Sequence, residues 1–218
     1  MRRLVDVLVA GIALLVLIPV IALVAGLVRW RLGSPVLFRQ RRSGLGGREF
    51  TIVKFRTMRP PRHEEETDAD RDTPLGRRLR AASLDELPQL VNVLKGDMSL
   101  IGPRPTLPEQ VVHYDERQRG RLSVRPGITG WAQVNGRNSI SWPERIELDL
   151  WYIENRSPKV DLQVLGRTVR NVVRPEGITG EGGVNPGFPT ADGGSTASHA
   201  AASVVAGERL RQPQATRS

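Results

Sequence analysis

Hydrophobic positions are spread very unevenly along this chain. Val7 to Val28 is a run of 22 residues without a charge, apolar on every face of a helix drawn through it. A soluble helix keeps a polar face, so such a run belongs in lipid. At 1.5 Å per residue it reaches about 33 Å, enough to cross a bilayer. Its length, and the bulky Arg29-Trp30-Arg31 behind it, argue against a cleaved signal peptide. Arg2 and Arg3 precede the run and Arg29 and Arg31 follow it, so charge bias assigns no orientation. Pro19 lies inside the run, where its missing N–H bends a helix. Two arrangements fit: a kinked span, which tolerates proline, or a re-entrant helix with both ends in one basic headgroup layer.

Beyond the run the pattern shortens and becomes mixed. Pro35–Gln40 and Glu49–Met58 read as strands, with the turn signal Ser43-Gly44-Leu45-Gly46-Gly47 between them, so a β-hairpin is expected. Residues 59–73 mix proline with both charges and read as a loop. Helices are expected at Pro74–Ala81, at Leu84–Lys95 and at Thr106–Gln118, the last starting near Pro108. Two more are expected: Pro143–Asn155, with Ser141 or Trp142 near its cap, and Leu162–Val173, with Asp161 as N-cap. After Gly180 the chain is rich in Gly, Ser, Thr, Ala and Pro, and 181–218 is expected to be a disordered tail. The chain thus divides into a membrane helix with basic flanks (1–32), one catalytic-sized domain (33–180) and the tail. The fold class is α/β, dominated by helix, with a β-hairpin and membrane-surface helices. No glycine-rich strand–helix fingerprint suggests a Rossmann domain.

Composition narrows the chemistry. The chain has 218 residues, a net charge of +9 and no cysteine. Disulfides, thiol nucleophiles and Cys-based metal sites are therefore excluded. His63, His113 and His199 show no ligand spacing. The excess of positive charge predicts an anionic partner. Ten basic residues fall between 29 and 62 against one acid, Glu49. Beside a membrane segment they read as a surface facing anionic headgroups. No helix-turn-helix, RNP or finger pattern is present, so nucleic acid is not the expected partner.

The most informative stretch is Ser83-Leu84-Asp85-Glu86-Leu87-Pro88-Gln89. Ser-x-x-Glu is a capping box, and on spacing alone that reading leads. The other reading is a carboxylate pair at a helix start. Both groups ionise only where cations or donors compensate. Mg²⁺ would suit them as hard oxygen ligands, with one carboxylate free to attack phosphorus. Downstream, Gly102-Pro103-Arg104-Pro105 holds an arginine rigidly between two prolines, a setting suited to bidentate phosphate binding. The loop Arg125–Arg137 is rich in glycine and carries Gln133 and Asn135, amides able to read a base or sugar hydroxyls.

Taken in order, Gly33–Phe38, Lys54-Phe55-Arg56-Thr57-Met58, Ser83–Gln89, Leu94–Ser99, Gly102–Pro105 and Pro126–Arg137 strongly resemble the bacterial sugar transferase family, the monotopic phosphoglycosyl transferases. The resemblance covers about residues 4–175. It implies transfer of a phosphosugar from a UDP-sugar donor to polyprenyl (undecaprenyl) phosphate, with release of UMP. The reaction would take place on the cytoplasmic face of the inner membrane, against its inner leaflet. It would be the first membrane step of exopolysaccharide, capsule, O-antigen or glycoprotein glycan assembly, ahead of downstream glycosyltransferases. Carried over residue by residue, Asp85 is the nucleophile that forms a covalent phosphosugar intermediate, and Glu86 helps to bind Mg²⁺. Arg104 and Arg80 match phosphate-handling arginines, and Lys54 matches a basic residue near the site. Gln133, Asn135 and Arg137 fall in the substrate-binding loop. The family's re-entrant helix breaks at Ser-Pro; here the pair is Ile18-Pro19. The competing reading is a non-catalytic membrane adaptor for anionic lipid or a glycan-assembly partner, in which Asp85-Glu86 is only a cap.

Overall fold

A computed structural model of the chain describes residues 2–63, 66–136 and 140–173. Arg137 and the tail 181–218 lie outside these residues. The fold is helix-dominated. It opens with α1 (Arg2–Leu32), followed by an antiparallel hairpin of β1 (Leu37–Ser43) and β2 (Glu49–Phe55). Next come α2 (Asp68–Arg71), α3 (Pro74–Ala81), a 3-10 turn over Leu84–Gln89 and α4 (Leu90–Lys95). Then follow β3 (Ser99–Ile101), α5 (Pro108–Val111), α6 (Glu116–Arg119), β4 (Gly127–Thr129) and α7 (Trp131–Asn135), and the described chain closes with α8 (Trp142–Asn155) and α9 (Pro158–Val173).

α1 continues unbroken through Pro19. Its exposed side carries Leu4, Leu8, Ile12, Leu15, Ile18 and Leu23, an apolar stripe that only lipid can satisfy. The opposite side packs on the domain along the whole helix. Ala10 sits with Ile52, Leu90, Val93 and Met98 in one cluster, and Val24 and Val28 with Phe55 and Leu79 in another. Polar anchors hold both ends. Arg3 donates to the Val93 and Leu94 carbonyls, while buried Asp6 accepts from Ser99 Oγ (2.8 Å) and the Leu100 amide (3.1 Å). At the other end, Arg56 donates to the carbonyls of Leu32 and Ser34, filling acceptors left open by the helix terminus. Both ends of α1 therefore rest on one body.

α9 is amphipathic and leaves Leu162, Leu165, Val169 and Val172 exposed at spacings of three and four residues. α1 and α9 thus both present exposed apolar side chains. The basic stretch 29–62 divides. Arg39 and Arg41 point to solvent, but Arg42, Lys54, Arg56 and Arg59 turn inward to specific partners.

Several boundaries differ from the expected ones for local reasons. Leu84–Lys95 is not one helix, because Pro88 lacks the donor that would continue it and the chain tightens into a 3-10 turn before α4. Thr106–Gln118 splits into α5 and α6, the latter started by an Asp115–Gln118 capping box. Ser141 caps α8 with Glu144. α9 begins at Pro158, and the Ser157 hydroxyl accepts from Val160 N, so Ser157 and not Asp161 stands at the cap. Asp161 instead accepts from the Tyr152 hydroxyl (2.7 Å) and pairs with Arg2 (3.1 Å).

The parallel pair β3–β4 was not visible in the hydrophobic pattern. It depends on glycines that let two backbones meet. A Cβ on Gly127 would lie 2.1 Å from Gly102 N, and one on Gly130 would lie 2.1 Å from Gly102 O. Gly127 and Gly130 thus serve backbone packing against the Gly102-Pro103-Arg104 turn.

Candidate active site

The site forms where the hairpin, the 3-10 turn and the Pro103–Thr106 segment meet. In the hairpin, Phe38 pairs with Lys54, Gln40 with Ile52 and Arg42 with Phe50. Directly paired residues share a face of an antiparallel ladder, so Lys54 and Arg42 lie on the same side. Ser43 N donates to Thr106 O (2.9 Å), which ties the end of β1 to the segment carrying Arg104.

Asp85 is buried at 4% exposure, and burial together with neighbouring Glu86 pushes its carboxyl up to about 6. Lys54, Arg104 and Arg80 oppose that rise. At neutral pH Asp85 is therefore mostly an ionised carboxylate, poorly solvated and facing cations. That is the environment of an activated oxygen nucleophile. Lys54 is half-buried, its ammonium 5.2 Å from the Phe38 ring, and desolvation pulls its pKa below the ordinary value while Asp85 holds it up.

Glu86 does not act as a cap. Arg104 Nη1 donates to its Oε1 at 3.1 Å, and Glu86 raises the Arg104 pKa. Ser83 sits in the left-handed region (φ 55°), and its side chain makes no capping bond. The capping reading of Ser83–Glu86 is thus replaced by a carboxylate pair facing Lys54 and Arg104.

Arg80, on α3, donates to Thr57 Oγ1 (2.9 Å) and pairs with Asp72, which also holds Arg77. It contributes field to Asp85 while its guanidinium is engaged with those partners. Gln133 and Asn135 go elsewhere. Gln133 Nε2 donates to Ile128 O (2.9 Å), Asn135 Nδ2 donates to Trp131 O (2.8 Å), and Arg167 of α9 donates to Asn135 Oδ1. Trp131 stacks on Trp151 with centroids 4.7 Å apart, beneath the Arg167 guanidinium. Gln133 thus ties α7 to β4 and Asn135 ties it to α9, and no described contact joins them to Asp85 or Glu86.

Two parts of the site were not read from the sequence. Arg42 is one: its Nη2 donates to Gln40 Oε1 (2.6 Å) and its Nη1 approaches Pro105 O (3.4 Å). Its signal was available, since it is two strand pairs from Lys54 on the same hairpin face. The other is Arg121. It pairs with Asp149 inside the core and also donates to Arg104 O (3.3 Å), fixing the backbone beneath Arg104. Nothing local in the sequence links positions 121 and 149.

Among the described residues no group of three or more His, Asp or Glu side chains is placed to hold a metal ion. The protein offers one adjacent carboxylate pair, with cations clustered around it. This arrangement suits a ligand that brings its own negative oxygens.

A family model described as bacterial sugar transferase matches residues 1–175. The sugar transferase EpsL of Bacillus subtilis is 52% identical over 182 residues, covering 82% of this chain and 90% of the relative. Exopolysaccharide production protein ExoY of Sinorhizobium fredii is 37% identical over 196 residues, covering 81% and 87%. The UDP-glucose:undecaprenyl-phosphate glucose-1-phosphate transferase of Caulobacter vibrioides is 42% identical over 185 residues, covering 79% and 69%. With the match spanning α1, the hairpin and the Asp85–Arg104 site alike, the chain belongs to the bacterial sugar transferase family.

Proposed function

We propose that this enzyme transfers a phosphosugar from a UDP-sugar to polyprenyl phosphate at the cytoplasmic face of the membrane, in two steps through Asp85. In the first, an Asp85 carboxylate oxygen attacks the phosphorus next to the sugar. The bond from that phosphorus to the nucleotide phosphate breaks, and UMP leaves with the electron pair. In the second, a phosphate oxygen of the lipid attacks the same phosphorus, the bond to Asp85 breaks, and the carboxylate is restored. Charge balances at each step without an added proton. The route lets one small site serve two bulky substrates in turn.

The observation that carries the reading is Asp85 itself, a buried carboxylate kept mostly ionised opposite Lys54 and Arg104. Phosphoryl transfer needs charge neutralisation and positioning more than covalent machinery. The named relatives support the substrate class, and the apolar surface of α1 and α9 brings the site to headgroup depth, where a lipid phosphate presents its reactive end. As a sugar-phosphate transferase the chain would act at the start of exopolysaccharide or related glycan assembly and pass its product to downstream glycosyltransferases. Against the adaptor reading stands the membership of a sugar transferase family, and the Ser83 side chain makes no capping bond.

The residues suit Mg²⁺. Glu86, with Asp85 beside it, offers hard carboxylate oxygens, and a cation that keeps waters and takes substrate phosphate oxygens needs no larger protein cage. When bound, Mg²⁺ supplies neutralisation of the diphosphate charge.

The test is release of UMP by purified protein given UDP-sugars and Mg²⁺ without lipid. A burst stoichiometric with enzyme, absent in Asp85→Asn, is the expected result. A fully active Asp85→Asn enzyme would sink the assignment.

A further inference from the structure

Arg42 is placed to do more than hold the hairpin. Its Nη2 is fixed by Gln40 and its Nη1 reaches the Pro105 carbonyl, which orients the guanidinium plane. Its Nε is buried, and no described residue accepts from it. A buried donor left unpaired costs about 1–3 kcal/mol, so it calls for a ligand atom to complete it.

The surrounding charges say what kind. Arg42 lies within electrostatic reach of Arg104 and Lys54, two like charges, with Glu86 and Glu109 opposing. Burial and Arg104 together pull its pKa down to about 10. Half-buried Arg42 and Lys54 crowd with solvent-facing Arg104 beside one carboxylate pair, and among the described residues only Glu86 of that pair is ion-paired, to Arg104. An anion entering among them relieves the repulsion.

The hairpin register locates the anion. Phe38, the cross-strand partner of Lys54, and Arg42 lie on one face of β1, with Arg42 two same-face pairs farther along it. Arg42 Nη1 approaches Pro105 O, next to Arg104. Arg42 therefore stands farther along the hairpin than Lys54, on the side of Arg104. In a diphosphate attacked by Asp85, the reacting phosphate belongs beside Lys54 and Arg104. The second phosphate, which leaves with the nucleotide, belongs one position outward.

We propose that Arg42 is a substrate-contacting residue that binds the departing nucleotide phosphate through Nε, and that the lipid phosphate occupies the same place in the second step. The inference rests on the two-step transfer proposed above. As the phosphorus–oxygen bond breaks, negative charge grows on the oxygen retained by UMP, and the guanidinium neutralises it there.

The experiment measures UMP binding calorimetrically to the full chain in nanodiscs, for wild type, Arg42→Gln and Arg42→Lys, with uridine as the phosphate-free control. The expected result is a loss of UMP affinity of about tenfold or more in Arg42→Gln. Lysine should recover part of it, uridine binding should not change, and the ligand-free melting temperature should stay near that of wild type. If Arg42→Gln binds UMP as tightly as wild type, the inference is overturned while the transfer reading stands. If wild type binds no UMP, the nucleotide reading fails and takes this inference with it. If Arg42→Gln does not fold, Arg42→Lys decides alone: it keeps the charge but loses the fork, so wild-type affinity in that variant overturns the proposal.

Discussion

Arg121 closes on Asp149 inside the protein: Nε and Nη2 both donate to Oδ2, at 3.0 and 2.6 Å, and both side chains are 2% exposed. The remaining donors of Arg121 reach Thr106 Oγ1, the Tyr114 hydroxyl and Arg104 O. One guanidinium thus joins α8 to the segment that presents Arg104. Removing one member of a buried pair leaves an uncompensated charge, at a cost of roughly 3–5 kcal/mol. Asp149→Ala is expected to lose about that much stability in urea unfolding. It should also lose transferase activity under conditions where it remains folded, because Arg104 no longer has a fixed backbone. Unchanged activity in folded Asp149→Ala would separate the ion pair from the site.

Gly76 lies where α3 meets the chain leaving β2. A Cβ there would stand 1.8 Å from the Thr57 carbonyl oxygen. That neighbour is backbone and cannot swing away, so α3 would have to back off from Thr57. Arg80 would then lose its bond to Thr57 Oγ1. Gly76→Ala is expected to cost about 1–3 kcal/mol, as overpacking does. Thermal unfolding reads this directly, and a variant as stable as wild type would show that α3 is free to shift.

Ser83 supports a sharper comparison. Its φ of 55° strains any side chain, and its hydroxyl caps nothing. The left-handed conformation costs a non-glycine residue about 1–2 kcal/mol. Ser83→Gly should therefore be neutral or stabilising by up to about 1 kcal/mol, whereas loss of a working N-cap to glycine would cost about a few tenths of a kcal/mol. A clear loss of stability in Ser83→Gly would restore the capping role.

These cases show what the sequence made legible. The 22-residue apolar run, the hairpin and α3 follow from local pattern, since each rests on period, turn residues or a proline at a helix start. The Asp85–Glu86–Arg104–Lys54 grouping was expected through motif order, and the structure brings these four residues together. What could not be read is whatever depends on distant pairing. The short β3–β4 contact is set by glycines whose partners lie some 25 residues away. The Arg121–Asp149 lock spans 28 positions. Gln133 and Asn135, expected as substrate-reading amides, donate in this structure to the Ile128 and Trp131 carbonyls, contacts that no local pattern announces.

The last prediction concerns α1, whose two ends touch one domain. Arg3 and Asp6 bind residues of α4 and β3, and Leu32 O is bound by Arg56 after β2. If α1 crossed the bilayer outright, those contacts could not form together unless the domain crossed with it. The domain's polar site and helix caps oppose that, because unsatisfied polar groups are costly in hydrocarbon. The chain contains no cysteine, so single-cysteine labelling needs no background removal. Cysteines placed at positions 2 and 34 should react with an impermeant maleimide from the same side of sealed vesicles. A cysteine at position 15, on the exposed apolar stripe, should stay protected from both sides. Arg2→Cys gives up an ion pair with Asp161 that is worth at most about 1 kcal/mol at this exposed position, so the variant should still fold. Labelling of positions 2 and 34 from opposite sides would establish a span, and the contacts of Arg3 and Asp6 would then have to be broken in the membrane.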